Sequence, residues 1–453
     1  MKTIKNNLFL IFFTFMALSS CKKFVEVSQP KNQITTSQVF ADSTDANAAI
    51  IDVYINMMTS AMGYDSGGLT VFTGLSVDEL YQTSNNAVYN QFYVNNISST
   101  NSTNNGLWIS AYGYIYTLNA CIEGITASKG IQPSAKAQLI AEARFVRAFQ
   151  YFYLVNLYGG VPVVTSTDYN VTRLTGRSST DLVYNQIIAD LQYAESNLNN
   201  SAAFERPTPY AASALLAKVY LYTGKSGLAE TEASKVINSG IFNLEPDLNS
   251  VFLGSSAETI WKLLPVAPNT ATFEGLFFVP SSRSATPRYV LAPSLFSSFE
   301  TGDQRMINWV QVNTIAGKAY PYPYKYKQGT TSSPNEDYVI LRLADQYLIR
   351  AEAEVTQDKL TAAVADLNVI RNRAGLPNAT ASDHASIVAA IQRERRSEFF
   401  CEWGNRWFDL KRWNLSGSAL SAVKSSLTAN ALVYPVPIQQ ITANPDLRQN
   451  PGY

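Results

Sequence analysis

The sequence predicts a mainly α protein in which paired helices build a scaffold and a loop-rich, partly β stretch forms an irregular face. Three observations carry this. Apolar residues recur at helical spacing from Ser43 onward. Twice, a helix rich in small residues runs through a short turn into a second helix. Two regions, about 62–105 and 244–337, break that rhythm with Gly, Asn, Ser, Thr, Pro and Tyr. A hydrophobic content of 46% against 15% charged residues belongs to a folded globular chain. We read residues 41–453 as a single domain.

Ahead of that domain the chain has the layout of an export signal. Lys2 and Lys5 open it, and an apolar run over 8–18 follows, too short for the roughly 20 residues that span a bilayer. Leu18-Ser19-Ser20-Cys21 then resembles the bacterial lipobox, in which small residues precede a Cys that is acylated. Residues 1–20 are the expected signal peptide, and 21–40 the lipidated Cys21 with a flexible tether. No other segment is apolar for long enough to cross a membrane, so attachment is expected through lipid alone.

The helices follow in order. Over 137–158, Phe145, Phe149 and Phe152 fall at i, i+4 and i+7 with Val146 and Tyr153 beside them, and Gly159-Gly160-Val161-Pro162 stops the helix. Residues 179–198 form a second amphipathic helix with Leu182, Ile187, Leu191 and Leu198 on its apolar side. Residues 210–223, Gly224 and 228–238 read as helix, turn, helix: the first helix is rich in small residues (Ala211, Ala212, Ala214 and Ala217) and the second bears Ala229 and Ala233. This resembles a tetratricopeptide unit, and a comparable pair recurs at 345–354 and 360–374. Such pairs bury their apolar faces only by stacking; an ordinary bundle is the alternative. Within the second irregular region, 259–264 and 275–279 read as short β runs.

Composition narrows the partners. Lys+Arg and Asp+Glu balance at 35 each, which leaves no bulk field for nucleic acid or anionic lipid. The 26 Tyr and the many Asn can stack against and hydrogen-bond neutral polar ligands such as sugars, or simply pack helices with their hydroxyls in water. His384 is the sole histidine, and there is no HxxxH, CxxC or Ser-His-Asp set, which argues against zinc and histidine catalysis. Asp and Asn in the loops could hold a structural calcium, but no EF-hand spacing is present, so no cofactor is expected. Cys121 and Cys401 lie in apolar helical stretches; two buried free thiols are the expectation, with a disulfide left open.

Seven stretches then carry a family resemblance, in order and over essentially the whole mature chain. They are 141–149 running on to 157–162, 214–225, 340–353, 367–376, 394–400, Gly404-Asn405-Arg406-Trp407-Phe408-Asp409-Leu410-Lys411-Arg412-Trp413, and Tyr434-Pro435-Val436-Pro437 leading to Asn450-Pro451-Gly452-Tyr453. Together, behind a lipobox, they resemble the SusD/RagB family. The resemblance implies a lipid-anchored protein of the cell outer membrane, facing the exterior, that sits as a lid over a SusC-like TonB-dependent transporter. Members bind oligosaccharide or polysaccharide, in some branches peptide, and carry out no chemistry. In the Bacteroidetes lipoproteins that this chain resembles, acidic residues just after the Cys favour the outer face; here Lys22 and Lys23 come first.

Glu394, Glu398 and Glu402 invite a glycosidase reading, because their i, i+4, i+8 spacing places three carboxylates on one helix face. Neighbouring Arg393, Arg395, Arg396 and Arg406 are expected to pair with them and keep them ionised, the wrong state for a general acid. Trp407 and Trp413 belong to a framework motif. The ligand is therefore expected on loop aromatics and their polar neighbours: Tyr64, Tyr81, Tyr289 and Trp309 as platforms, with Asp78, Asn85 and Arg288 as polar partners.

Overall fold

Two helices of 26 residues form the spine on which the rest is stacked. The computed structural model describes residues 36–200 and 204–453. The expected signal peptide, Cys21 and most of the expected tether lie outside the described residues. Helices of six residues or more are α1 Ser43–Met57, α2 Gly68–Ser76, α3 Ala87–Tyr93, α4 Ser102–Ala127, α5 Pro133–Tyr158, α6 Thr180–Asn197, α7 Pro209–Tyr222 and α8 Ser226–Ile237. They continue as α9 Phe273–Phe278, α10 Gln304–Trp309, α11 Leu343–Thr356, α12 Leu360–Arg373, α13 His384–Glu398, α14 Asn405–Arg412 and α15 Ile438–Ala443. Six strands are β1 Leu80–Gln82, β2 Thr259–Leu263, β3 Tyr289–Leu291, β4 Val310–Ile315, β5 Lys318–Pro323 and β6 Tyr338–Arg342.

The helical array grows by neighbour contacts. α5 packs between α4 and α6, α7 on α6, α8 on α7, α11 on α8, and α12 and α13 on α11. The small residues read from the sequence do what close approach needs: Ala211, Ala212, Ala214 and Ala217 of α7 and Ala229 and Ala233 of α8 are all buried. Gly224 turns between them at φ 71°, a left-handed conformation that glycine adopts without a steric cost. Stacked tetratricopeptide-like pairs, rather than a closed bundle, describe this half. One assignment on α6 shifts: Leu182 is 58% exposed, and Val183 takes the buried place with Ile187, Leu191 and Ala194. Arg147 ties three helices together, donating to both oxygens of Asp190 at 2.8 Å and to Asn119 at 2.6 Å.

The β structure consists of three two-stranded antiparallel ribbons, β1–β3, β2–β6 and β4–β5. Two-stranded ribbons are marginal in isolation, so each leans on the helices. Trp261 of β2 meets Phe145 and Phe149 of α5 edge-on at 4.8 and 5.0 Å, and Trp403 donates from its indole to the Val339 carbonyl of β6 at 3.0 Å.

Two expectations for the irregular regions are corrected. Residues 62–105 hold helices α2 and α3 as well as β1. The composition of α2 reads as loop because it is small and hydroxylated. Those same residues let it sit fully buried: a Cβ on Gly68 would meet the Gly63 carbonyl at 2.4 Å, and Thr73 and Ser76 return their hydroxyls to the helix carbonyls of Leu69 and Phe72. The run 275–279 is not a strand. Thr272 caps a helix there by accepting from the Gly275 amide at 3.0 Å.

Scaffold and irregular half are joined by buried ion pairs. Arg342, at the end of β6, reaches Glu258 and Glu402 at 2.9 Å and Glu398 at 2.5 Å. Arg305 of α10 takes Asp303 at 2.8 Å, Glu394 at 2.6 Å and Glu398 at 3.0 Å. Arg373 closes the set on Glu258 and Glu398, and Lys325 on Glu402. A second cluster joins Arg395 to Asp345 and Asp409 at 3.0 and 2.7 Å. Removing one partner of such a set leaves buried charges uncompensated. Arg342→Met is expected to lower unfolding free energy by about 3–5 kcal/mol in urea denaturation; a loss under about 1 kcal/mol would show that the junction does not hold the two halves.

Candidate functional site

The β1–β3 ribbon brings two of the expected residues onto one surface. Tyr81 pairs with Val290 and Gln82 with Tyr289, and the Thr83 amide donates to the Arg288 carbonyl at 3.0 Å. Side chains alternate along each strand, so positions 81, 83, 288 and 290 share one side of the ribbon. Tyr81 is half-buried there and Arg288 is exposed. Tyr289 points to the other side and is buried edge-on against Phe278 at 6.1 Å.

A second ribbon packs against β3. The β4–β5 hairpin turns at Ala316 and Gly317, φ 51° and 80°, the paired positive values of a tight two-residue turn. It presents half-buried Tyr320, with the Lys318 ammonium 5.0 Å from the ring centre. The Tyr81 hydroxyl is pushed above its ordinary value by burial and then by the nearby hydroxyls of Tyr320 and Tyr93. Asn313 of β4 holds the neighbouring loop, donating to the carbonyls of Ser282 at 3.0 Å and Ala285 at 2.7 Å. Between that loop and α9 lies a recess of about 420 Å³, lined in part by Leu276, Phe277, Pro280, Arg288 and Thr330. That volume is in the range of small-ligand sites. Asn85 stands exposed after β1, next to Asn86, whose side chain caps α3 by accepting from the amides of Val88 and Tyr89 at 3.0 and 3.1 Å.

Four of the seven expected ligand residues, Tyr64, Asp78, Tyr289 and Trp309, are buried rather than presented at the surface. Tyr64 is enclosed and donates to the Gln150 carbonyl at 3.2 Å. Asp78 is clamped by Arg396 and Arg406; burial works to raise its carboxyl, but the two guanidiniums prevail and hold it below the usual range. Tyr289 faces the core, as described. Trp309 is fully buried at the end of α10, its indole N–H on the Leu248 carbonyl at 2.9 Å and its ring 4.8 Å from the Lys325 ammonium. Their aromatic or charged character serves the fold. Tyr81, Asn85 and Arg288 remain at the surface. Tyr320 and Lys318 stand beside them and are not among the expected residues, although the alternation in Lys318-Ala319-Tyr320-Pro321-Tyr322-Pro323 is a strand signal.

The carboxylate cluster has a different geometry from the one its spacing predicts. α13 ends at Glu398, and the chain turns away through left-handed Cys401 and Trp403, so Glu402 does not continue the helix face. The cationic partners come from elsewhere in the chain: Arg305, Arg342, Arg371, Arg373 and Lys325 take Glu394, Glu398 and Glu402, while Arg395 serves Asp345 and Asp409, and Arg396 and Arg406 serve Asp78. Burial alone would raise Glu398, yet Arg373, Arg342 and Arg305 hold it well below the ordinary carboxylate value. For Glu394 burial outweighs Arg305 and the carboxyl is raised. Cys121 and Cys401 are free and buried; burial pushes the Cys121 thiol up to about 12. A larger recess of about 670 Å³ beside the 377–383 loop lacks an aromatic platform, and the Arg371 side chain in it is committed to Glu300, Glu394 and the Pro377 carbonyl. Among the described residues no group of three or more His, Cys, Asp or Glu side chains could hold a metal, and no helix is long and apolar enough to cross a membrane.

Residues 23–221 match the family model described as starch-binding, associating with the outer membrane, and residues 308–453 match the SusD family model. SusD-like protein P2 of Formosa agariphila is 26% identical over 520 aligned residues, covering 100% of both chains. The starch-binding protein SusD of Bacteroides thetaiotaomicron is 25% identical over 425, covering 72% of this chain and 75% of the relative. Among solved structures, a SusD superfamily protein from Bacteroides vulgatus superposes with a TM-score of 0.82 at 20% identity, covering 91% of this chain and 99% of that one. A laminarin-binding SusD-like protein gives 0.74 at 23% identity, with 90% and 99% covered. These superpositions speak for the fold.

Three buried carboxyls around this half, Asp65, Glu79 and Glu274, are each pushed up to about 8 by burial. A raised carboxyl stabilises the fold fully below its unfolded value, about 4, and that contribution is gone once the pH passes about 8. Glu274 accepts from the Tyr338 hydroxyl at 2.8 Å. In urea denaturation between pH 5 and 8, Glu274→Gln is expected to lose stability less steeply than the parent; parallel slopes would contradict the assignment.

Proposed function

Because the chain belongs to the SusD/RagB family, we propose that it is a non-catalytic cell-surface lipoprotein that captures oligosaccharide or polysaccharide and delivers it to a SusC-like TonB-dependent transporter. Its anchor in this reading is the acyl group on Cys21, the tether runs over 21–40, and residues 41–453 form the receptor domain. The ligand class is supported by relatives and structural neighbours that include a starch-binding protein and a surface glycan-binding protein.

The observation that carries the reading is the placement of Tyr81 and Arg288 on one side of the β1–β3 ribbon, beside Tyr320. A sugar ring presents an apolar C–H face to an aromatic ring, and its hydroxyls take amides and guanidiniums. Exposed Asn85 adds an amide nearby. A binding rather than a catalytic role is supported by the state of the carboxylates: Glu394, Glu398 and Glu402 are buried and committed to cations, with none presented to a substrate. A general acid must be both reachable and protonated.

Calorimetry on a soluble form starting after Cys21, titrated with plant, host and microbial glycans and with a protein digest, tests this. Saturable binding to one glycan class without product release is expected, weakened about tenfold or more by Tyr81→Ala. Binding to peptides alone would overturn the glycan reading, and undiminished affinity in Tyr81→Ala would move the site elsewhere.

A further inference from the structure

The ligand face is free of acid in a way that the whole chain is not. From Leu80 to Ile122 there is no charged side chain. From 265 to 335 the acids are Glu274, Glu300 and Asp303. Glu274 is buried on Tyr338, Glu300 is paired with Arg371, and Asp303 is buried on Arg305. The cations of the same span divide differently. Arg305 and Lys325 are buried in ion pairs, and half-buried Lys327 donates its ammonium to the Asn249 side chain. Arg283, Arg288 and Lys318 are exposed, and among the described residues none of the three forms an ion pair.

All three border the Tyr81–Tyr320 surface. Arg288 shares the ribbon face with Tyr81 and lines the 420 Å³ recess. Lys318 lies over Tyr320. Burial raises the hydroxyl of Tyr322, on the strand that carries Tyr320, and Arg283 lies close enough to work against that rise; the Arg283 loop is the one pinned by Asn313. A net charge of zero over the chain therefore hides a local positive excess where the ligand is read to bind.

Resting on the glycan-binding reading above, we infer that the saccharide is anionic: Arg288, with Lys318 and Arg283, holds uronate carboxylates or sulfate esters while Tyr81 and Tyr320 hold ring faces. A guanidinium binds a planar carboxylate or a sulfate through paired charge-assisted hydrogen bonds, whereas a neutral sugar leaves that charge without a counter-charge. Three unpaired cations around two aromatic platforms select for charge more than a neutral glucan needs.

The test titrates the soluble chain with oligogalacturonate, alginate oligomers and a sulfated galactan, against laminarin and dextran oligomers, at about 0.05 and about 0.5 M NaCl. Charged oligomers are expected to bind at least about tenfold more tightly than neutral ones at low salt, with the advantage shrinking at high salt. The variant carrying Arg283→Ala, Arg288→Ala and Lys318→Ala is expected to lose that advantage, with its thermal midpoint checked against the parent. Salt-insensitive binding of laminarin or dextran alone would overturn the anionic inference and leave the glycan receptor standing. Binding to no glycan, charged or neutral, would remove the receptor reading beneath it as well.

Discussion

Glu398 is the constraint on which the two halves depend. It is fully buried, and three guanidiniums from three different elements converge on it: Arg305 from α10, Arg342 from β6 and Arg373 from the end of α12. Each of those arginines also takes a second acid, so the charges balance as a network rather than as isolated pairs. Desolvating so many ions is costly, and only geometry that satisfies all of them offsets it. The arrangement fixes where helix α13 can stop and where the β2–β6 ribbon must begin. A hydrophobic contact would allow those elements to slide; a forked guanidinium between two carboxylates does not.

From this junction the surface follows in order. β6 pairs with β2, whose Trp261 locks into α5. Arg396, on the same helix as Glu398, reaches across to Asp78 just ahead of β1, and Arg406 holds the same carboxylate. The β1–β3 ribbon is thus tied to the helical core at its root while its outer side carries Tyr81 and Arg288. The residues that looked most like a ligand set, Asp78 and Trp309 among them, turn out to brace the ribbons that present the exposed ones.

Much of the helical scaffold was legible in the sequence, because periodicity and alanine-rich pairs report a local geometry. The loss of Leu182 to solvent and the gain of Val183 show the limit: a shift of one residue around a helix is 100°, and neighbouring apolar residues compete for the buried side. The irregular half was less legible for a definite reason. Its order is set by long-range partners, such as Asp78 with Arg396 and Arg406, that no window of sequence contains. Tyrosine adds to the difficulty, since its ring packs as well as phenylalanine and its hydroxyl needs only one carbonyl, as at Tyr64. The local charge excess, by contrast, was present in the sequence. A count over the whole chain averaged it away.

The most direct test is a crystal structure of the soluble chain with a saccharide bound. The account predicts sugar density on the Tyr81–Tyr320 surface with an oxygen of the ligand within hydrogen-bond reach of Arg288, and Glu398 still held by its three arginines. A saccharide seated instead in the recess beside the 377–383 loop, or one that draws Glu394 or Glu398 out of its ion pairs to reach a glycosidic oxygen, would contradict it.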